Sequence, residues 1–91
     1  MIQETTRVTW HAQAAARVVD DQALIVLTQR GEVLVLNTSG TWLWNQLEQA
    51  RTVRDLTSQL ATRFHLTEIQ ASGDVQCFLE HLLEIGAIME V

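Results

Sequence analysis

Apolar residues follow two regimes along the chain. Up to Leu36 they come in short, β-branched blocks; beyond Gly40 they recur every three or four positions. A two-residue period puts alternate side chains on opposite faces of a strand, and a 3.6-residue period gathers them on one side of a helix. The stretch Leu36-Asn37-Thr38-Ser39-Gly40-Thr41-Trp42-Leu43-Trp44 is where one regime gives way to the other. The pattern therefore predicts strands first and helices afterwards, an α+β chain.

Residues 1–6 read as polar and frayed. Arg7-Val8-Thr9-Trp10-His11 alternates as a short strand or an arm on the body, and Ala12–Ala16 is either a turn or the lead into the next strand. Arg17-Val18-Val19 ends a strand, and Asp20-Asp21-Gln22 is a turn, since aspartate bonds its own backbone there. Ala23-Leu24-Ile25-Val26-Leu27 is a second strand, Thr28-Gln29-Arg30-Gly31 a turn with Gly31 free to take positive φ, and Glu32-Val33-Leu34-Val35-Leu36 a third strand. The three make an antiparallel meander. The second and third are apolar on both faces. Ile25 and Leu27 oppose Leu24 and Val26, and Leu34 and Leu36 oppose Val33 and Val35. One face packs on helices; the other needs Val8 and Trp10 of the arm, a second copy, or a ligand to cover it.

Thr38 and Ser39 offer cap hydroxyls to a helix running to about Glu48, with Leu43, Trp44 and Leu47 on one side. At about 100° per residue Trp42 lies roughly 200° from Trp44, so the two cannot share a face. Thr52 with Asp55 opens a second helix striped by Val53, Leu56, Leu60 and Phe64. Thr67-Glu68-Ile69-Gln70 is a full capping box for a third helix. Ser72-Gly73 is a candidate break or kink, with a fresh start at Asp74 as the alternative. Val75, Phe78, Leu79, Leu82 and Ile85 form its apolar face, Gly86 its C-terminal cap, and Ala87-Ile88-Met89 a last short strand or tail. The outline is winged helix-turn-helix-like: a three-stranded antiparallel sheet followed by three helices.

Size and charge narrow the function. A chain of 91 residues holds one small core. A net charge of −5 supplies few cations to replace the counterions of nucleic acid, so nucleic acid is not the expected partner. Cys77 is the single cysteine, so no internal disulfide forms and a reducing cytoplasm is the simplest compartment. The longest apolar run, Ala23–Leu27, is far too short for a membrane span, and the N-terminus lacks the pattern of a signal peptide.

Three segments carry a family likeness. Leu36-Asn37-x-x-Gly40-x-x-Leu43-Trp44-x-x-Leu47, Thr52-Val53-x-x-Leu56-x-x-x-Leu60-x-x-x-Phe64 and Asp74-Val75-x-x-Phe78-Leu79-x-x-Leu82-x-x-x-Gly86 occur in order. Together they resemble the PqqD family over about Arg17 to Met89. The resemblance implies a RiPP recognition element, a non-catalytic, stand-alone domain that holds the leader of a ribosomally made precursor peptide. It implies that the leader adds as a strand to the edge of strand 32–36 and lies in a groove with the third helix. It further implies delivery to a modifying enzyme such as a radical-SAM protein, a leader protease or a cyclase, in pyrroloquinoline quinone, lasso-peptide or related natural product biosynthesis. Residues 17–91 would then be the PqqD-like domain and residues 1–16 an added arm or strand, which either occupies the sheet edge or exchanges between two subunits.

Physical chemistry agrees with that implication. Strand addition takes affinity from main-chain bonds and specificity from alternate side-chain pockets. Val33, Leu34, Val35, Phe78 and Leu82 are the expected apolar walls, and Asp74, Cys77 and His81 the expected rim. Which of Val33 and Val35 or Leu34 and Leu36 face the peptide depends on register.

Other chemistry finds less support. Cys77 and His81 share a helical face, but two ligands do not make a metal site, so no metal and no cofactor are expected. Trp42 is expected to pack on the adjoining strand, with peptide or enzyme contact as the alternative. Arg51, Arg54 and Arg63 flank the second helix, but the third helix would enter a DNA groove, and it presents Glu68, Asp74, Glu80 and Glu84. No nucleophile elbow, phosphate loop or zinc-protease motif occurs, so an enzyme is not expected. The alternatives to a peptide-binding adaptor are a winged-helix DNA-binding regulator and a self-pairing dimerisation or scaffold module.

Overall fold

The computed structural model describes residues 2–27 and 31–91. In chain order it comprises β1 (Arg7–Trp10), β2 (Ala14–Val19), β3 (Gln22–Leu27), β4 (Glu32–Val35), α1 (Thr38–Gln46), β5 (Arg51–Thr52), α2 (Val53–Phe64), α3 (Glu68–Ile85) and β6 (Ile88–Glu90). The α+β class and the meander stand as expected: β2, β3 and β4 form an antiparallel sheet in that order. The first turn works differently from the expectation. Asp20 and Asp21 sit at φ 50° and 64°, both left-handed, and Val19 pairs directly with Gln22. That two-residue loop matches the twist of the strands, and aspartate tolerates it better than most residues. Of the second turn, Thr28–Arg30 lie outside the described residues; Gly31 takes φ 66°.

The meander's inner face carries the core. Ala23, Ile25, Leu27 and Leu36 are buried with Leu43, Trp44, Leu47, Leu56, Leu60, Val75, Leu79 and Leu82 from the helices. The buried hydroxyl of Thr41 accepts from the Ala23 N–H at 2.9 Å and donates to the Leu36 carbonyl at 3.4 Å, pinning α1 to the end of the β3–β4 ladder.

The arm does not cover the outer face, contrary to one expectation. It becomes the middle strand of a second antiparallel sheet, ordered β5–β1–β6. Val8 is fully buried, and Trp10 stacks on Trp44 with centroids 5.3 Å apart. The Trp10 indole N–H also donates to the Trp44 carbonyl at 2.8 Å. Nor do residues 2–6 fray. Ile2 is buried, and the carbonyls of Glu4 and Thr6 accept from the N–H groups of Arg54 and Val53, each at 3.0 Å. Those two donors begin α2, where a helix has no partners of its own.

Capping follows the local sequence, with one shift. The cap of α1 is Asn37 rather than Thr38 or Ser39: its Oδ1 accepts from the Gly40 N–H at 2.8 Å. Thr52 caps α2, and Thr67 with Gln70 closes the reciprocal box on α3. Helix α3 runs unbroken through Ser72-Gly73. A glycine inside a helix costs about 0.5–1 kcal/mol. Burial of Ala71, Val75, Leu79 and Leu82 on one stripe outweighs that, since a fully buried valine or leucine contributes about 1.5–3 kcal/mol. Gly86 ends the helix at φ 80°. Among the described residues no helix is long and apolar enough to cross a membrane.

Candidate peptide-binding groove

The open edge of β4 is defined by its hydrogen bonds. The Leu36 N–H donates to the Ala23 carbonyl at 2.9 Å, so it points toward β3. Main-chain groups alternate direction along a strand. Leu34, paired with Ile25, therefore also points its N–H and C=O into the sheet. Val33 and Val35 point theirs out of it. Side chains alternate with the backbone, so Leu34 lies half-buried on the inner face. Val33 and Val35 lie on the outer one, 63% and 56% exposed. They sit beside Val26 and Leu24, their partners across the ladder.

From the end of β4 the chain passes directly into a cleft of about 300 Å³. Asn37, Ser39, Gly40 and Leu43 of the α1 region, Leu60 of α2, and Asp74, Cys77 and Phe78 of α3 line it. Gly40 is what allows α1 and α3 to meet here. A Cβ at that position would stand 3.0 Å from Asn37 Oδ1 and 3.2 Å from a ring carbon of Phe78. Both contacts are tighter than a side chain ordinarily accepts, so the glycine serves helix–helix approach rather than merely being tolerated.

Of the eight residues the sequence pointed to, the cleft brings together Asp74, Cys77 and Phe78. His81 is exposed one turn further along α3, outside the cleft lining. Val33 and Val35 occupy the open edge, and Leu34 packs beneath it. Leu82 has no exposed surface and belongs to the core. Leu82 falls on the stripe shared with Val75 and Leu79, and helical spacing alone does not separate a buried stripe from its half-buried margin. Asn37, Ser39 and Gly40 were not among those eight. The Asn37-x-x-Gly40 spacing was a usable signal for them, because a cap side chain reaches the N–H three residues on.

The exposed side of α3 carries Glu68, Asp74, Glu80 and Glu84, with no lysine or arginine anywhere in the helix. Phosphate contact through this helix is therefore disfavoured. Among the described residues no group of three or more His, Cys, Asp or Glu could hold a metal ion. Trp42 packs edge-on to Phe64, centroids 6.0 Å apart, with the Arg63 guanidinium 5.9 Å over its ring. Wider hollows flank α2, one beside Trp42 and Arg63 and one beside Ile69 and the Glu4–Arg54 ion pair. Neither is lined by a residue of β4.

The model of the family described as "Coenzyme PQQ synthesis protein D (PqqD)" matches residues 22–88. No curated protein sequence matches the chain. Among solved structures, "TbiB1 in Complex with the TbiA(beta) Leader Peptide" superposes with a TM-score of 0.81 at 16% identity. The match covers 88% of this chain and 93% of that one, and it shows a shared fold.

Proposed function

The chain belongs to the PqqD family, and from that premise we propose that it is a non-catalytic adaptor holding the leader of a ribosomally made precursor peptide. The observation that carries the reading is the open edge of β4, where the N–H and C=O groups of Val33 and Val35 await a partner strand. An unpaired edge is a template for strand addition. The fold is shared with a protein solved in complex with a leader peptide.

In this reading the leader lies along β4 and bonds the backbone of Val33 and Val35. Its side chains on one face meet Asp74, Cys77, Phe78 and His81 along α3. Residues 17–91 hold the peptide, and residues 1–16 brace that body through β1. The loaded adaptor presents the precursor to a modifying enzyme, a leader protease or a cyclase in the cytoplasm. β2 forms the meander's other open edge; β4 is favoured because it leads straight into the α1–α3 cleft.

An amide chemical-shift titration tests the reading, using a synthetic leader from a precursor gene beside this one. Perturbations gathered in residues 32–40 and 74–85 are expected. A folded sample that shows none with any neighbouring leader overturns it.

A further inference from the structure

The cleft at the end of β4 has an apolar floor and one charged wall. Half-buried Phe78 supplies carbon surface over the buried Leu43 and Leu60, and Asp74 alone among the described lining residues carries a formal charge. Asp74 is exposed, with no hydrogen bond or ion pair among the described residues. Three neighbouring donors are already engaged. The Gly40 N–H and the Ser39 hydroxyl both donate to Asn37 Oδ1, and the Thr41 N–H donates to the Asn37 carbonyl. A visiting cation therefore meets Asp74 with no competing cation in the described lining. The N-terminus of α1 contributes about half a positive charge; a full carboxylate beside it leaves the cleft net negative. The rest of α3 adds carboxylates and no cation.

We propose that this cleft is the slot for a lysine or arginine side chain of the bound peptide. The inference rests on the strand-addition reading above and specifies the peptide it selects. The methylenes of the basic side chain lie on Phe78, and its cation meets Asp74. Long basic side chains suit such a site because the stem is buried while the head stays at a polar rim. The same arrangement rejects a segment that places glutamate or aspartate there.

Panning a phage library of random 16-residue peptides on the immobilised full chain tests this. Enriched peptides are expected to share lysine or arginine at one fixed position and to lose binding to the Val35→Pro variant. Their affinity for Asp74→Asn should fall about three- to fivefold, the range of an exposed ion pair, and the difference should shrink as salt rises. Panning on Asp74→Lys should enrich aspartate or glutamate at the same position. Peptides that depend on Val35 but show no basic preference overturn the slot and leave strand addition standing. Peptides indifferent to Val35→Pro, or none at all from protein shown folded by circular dichroism, overturn strand addition and the slot with it.

Discussion

Val35 and Leu24 face each other across the β3–β4 ladder, yet they do not bond each other. The main chain of Val35 turns outward to the open edge, whereas that of Leu24 turns back to β2. The pair is held by side-chain contact on the outer face, and the hydrogen-bonded pair next to it is Leu34 with Ile25.

That alternation separates folding from binding within two adjacent residues. Val35→Pro removes an N–H that no strand among the described residues uses, so thermal stability should change little while leader affinity falls at least tenfold. Leu34→Pro removes a ladder donor and strands the Ile25 carbonyl, at a cost of about 1–3 kcal/mol. Circular dichroism melts of the two variants beside a titration of each would show the contrast. Equal loss of fold in both would sink the assignment of the edge.

Two glycines should respond to alanine with opposite signs. Gly73 lies in the helical interior, and a Cβ added there would have nothing within 4 Å, so Gly73→Ala should stabilise by about 0.5–1 kcal/mol. Gly86 holds φ 80°, and a Cβ there would collide with the Gln13 side chain. Gly86→Ala should destabilise by about 1–2 kcal/mol. Urea midpoints of the two variants measure both.

Trp10 contributes a ring stack and one hydrogen bond, and these can be dissected. Trp10→Phe keeps an aromatic against Trp44 but loses the donor to the Trp44 carbonyl. That carbonyl also accepts from the Leu47 N–H at 3.0 Å, so it is not stranded. The loss should be about 0.5–1.5 kcal/mol, and Trp10→Ala should cost distinctly more. Far-UV dichroism in urea is the suitable probe, since tryptophan emission would change with the substitution itself.

Gly40→Val should close the cleft. The added side chain presses on Asn37 and Phe78, and overpacking of this kind costs about 1–3 kcal/mol. Leader affinity should fall by more than the melting temperature alone explains, because Phe78 and Asp74 no longer border an open slot. Retention of full affinity in a folded Gly40→Val variant would show that the peptide does not enter the cleft.

Features that depend on a few neighbouring residues are legible in the chain itself. The capping box of Thr67 and Gln70, the terminal Gly86, the stripes of α2 and α3 and the strand-to-helix switch at Asn37 are local. Each reflects backbone geometry over about one helical turn. Where a local rule misled, the competition was equally short-ranged: Asn37 took the cap that Thr38 and Ser39 also offered. The rest depends on contacts between distant segments. Val8 became core, with Trp10 packed against it, once β1 paired with β6, some eighty positions away in the chain. Leu82 is buried with Val75 and Leu79 in the core, whereas Phe78, against Gly40 of α1, is only partly buried. The choice of Val33 and Val35 as the outward pair follows from one bond between Leu36 and Ala23. Alternation is written in the sequence, but its phase is set by the strand that happens to lie alongside.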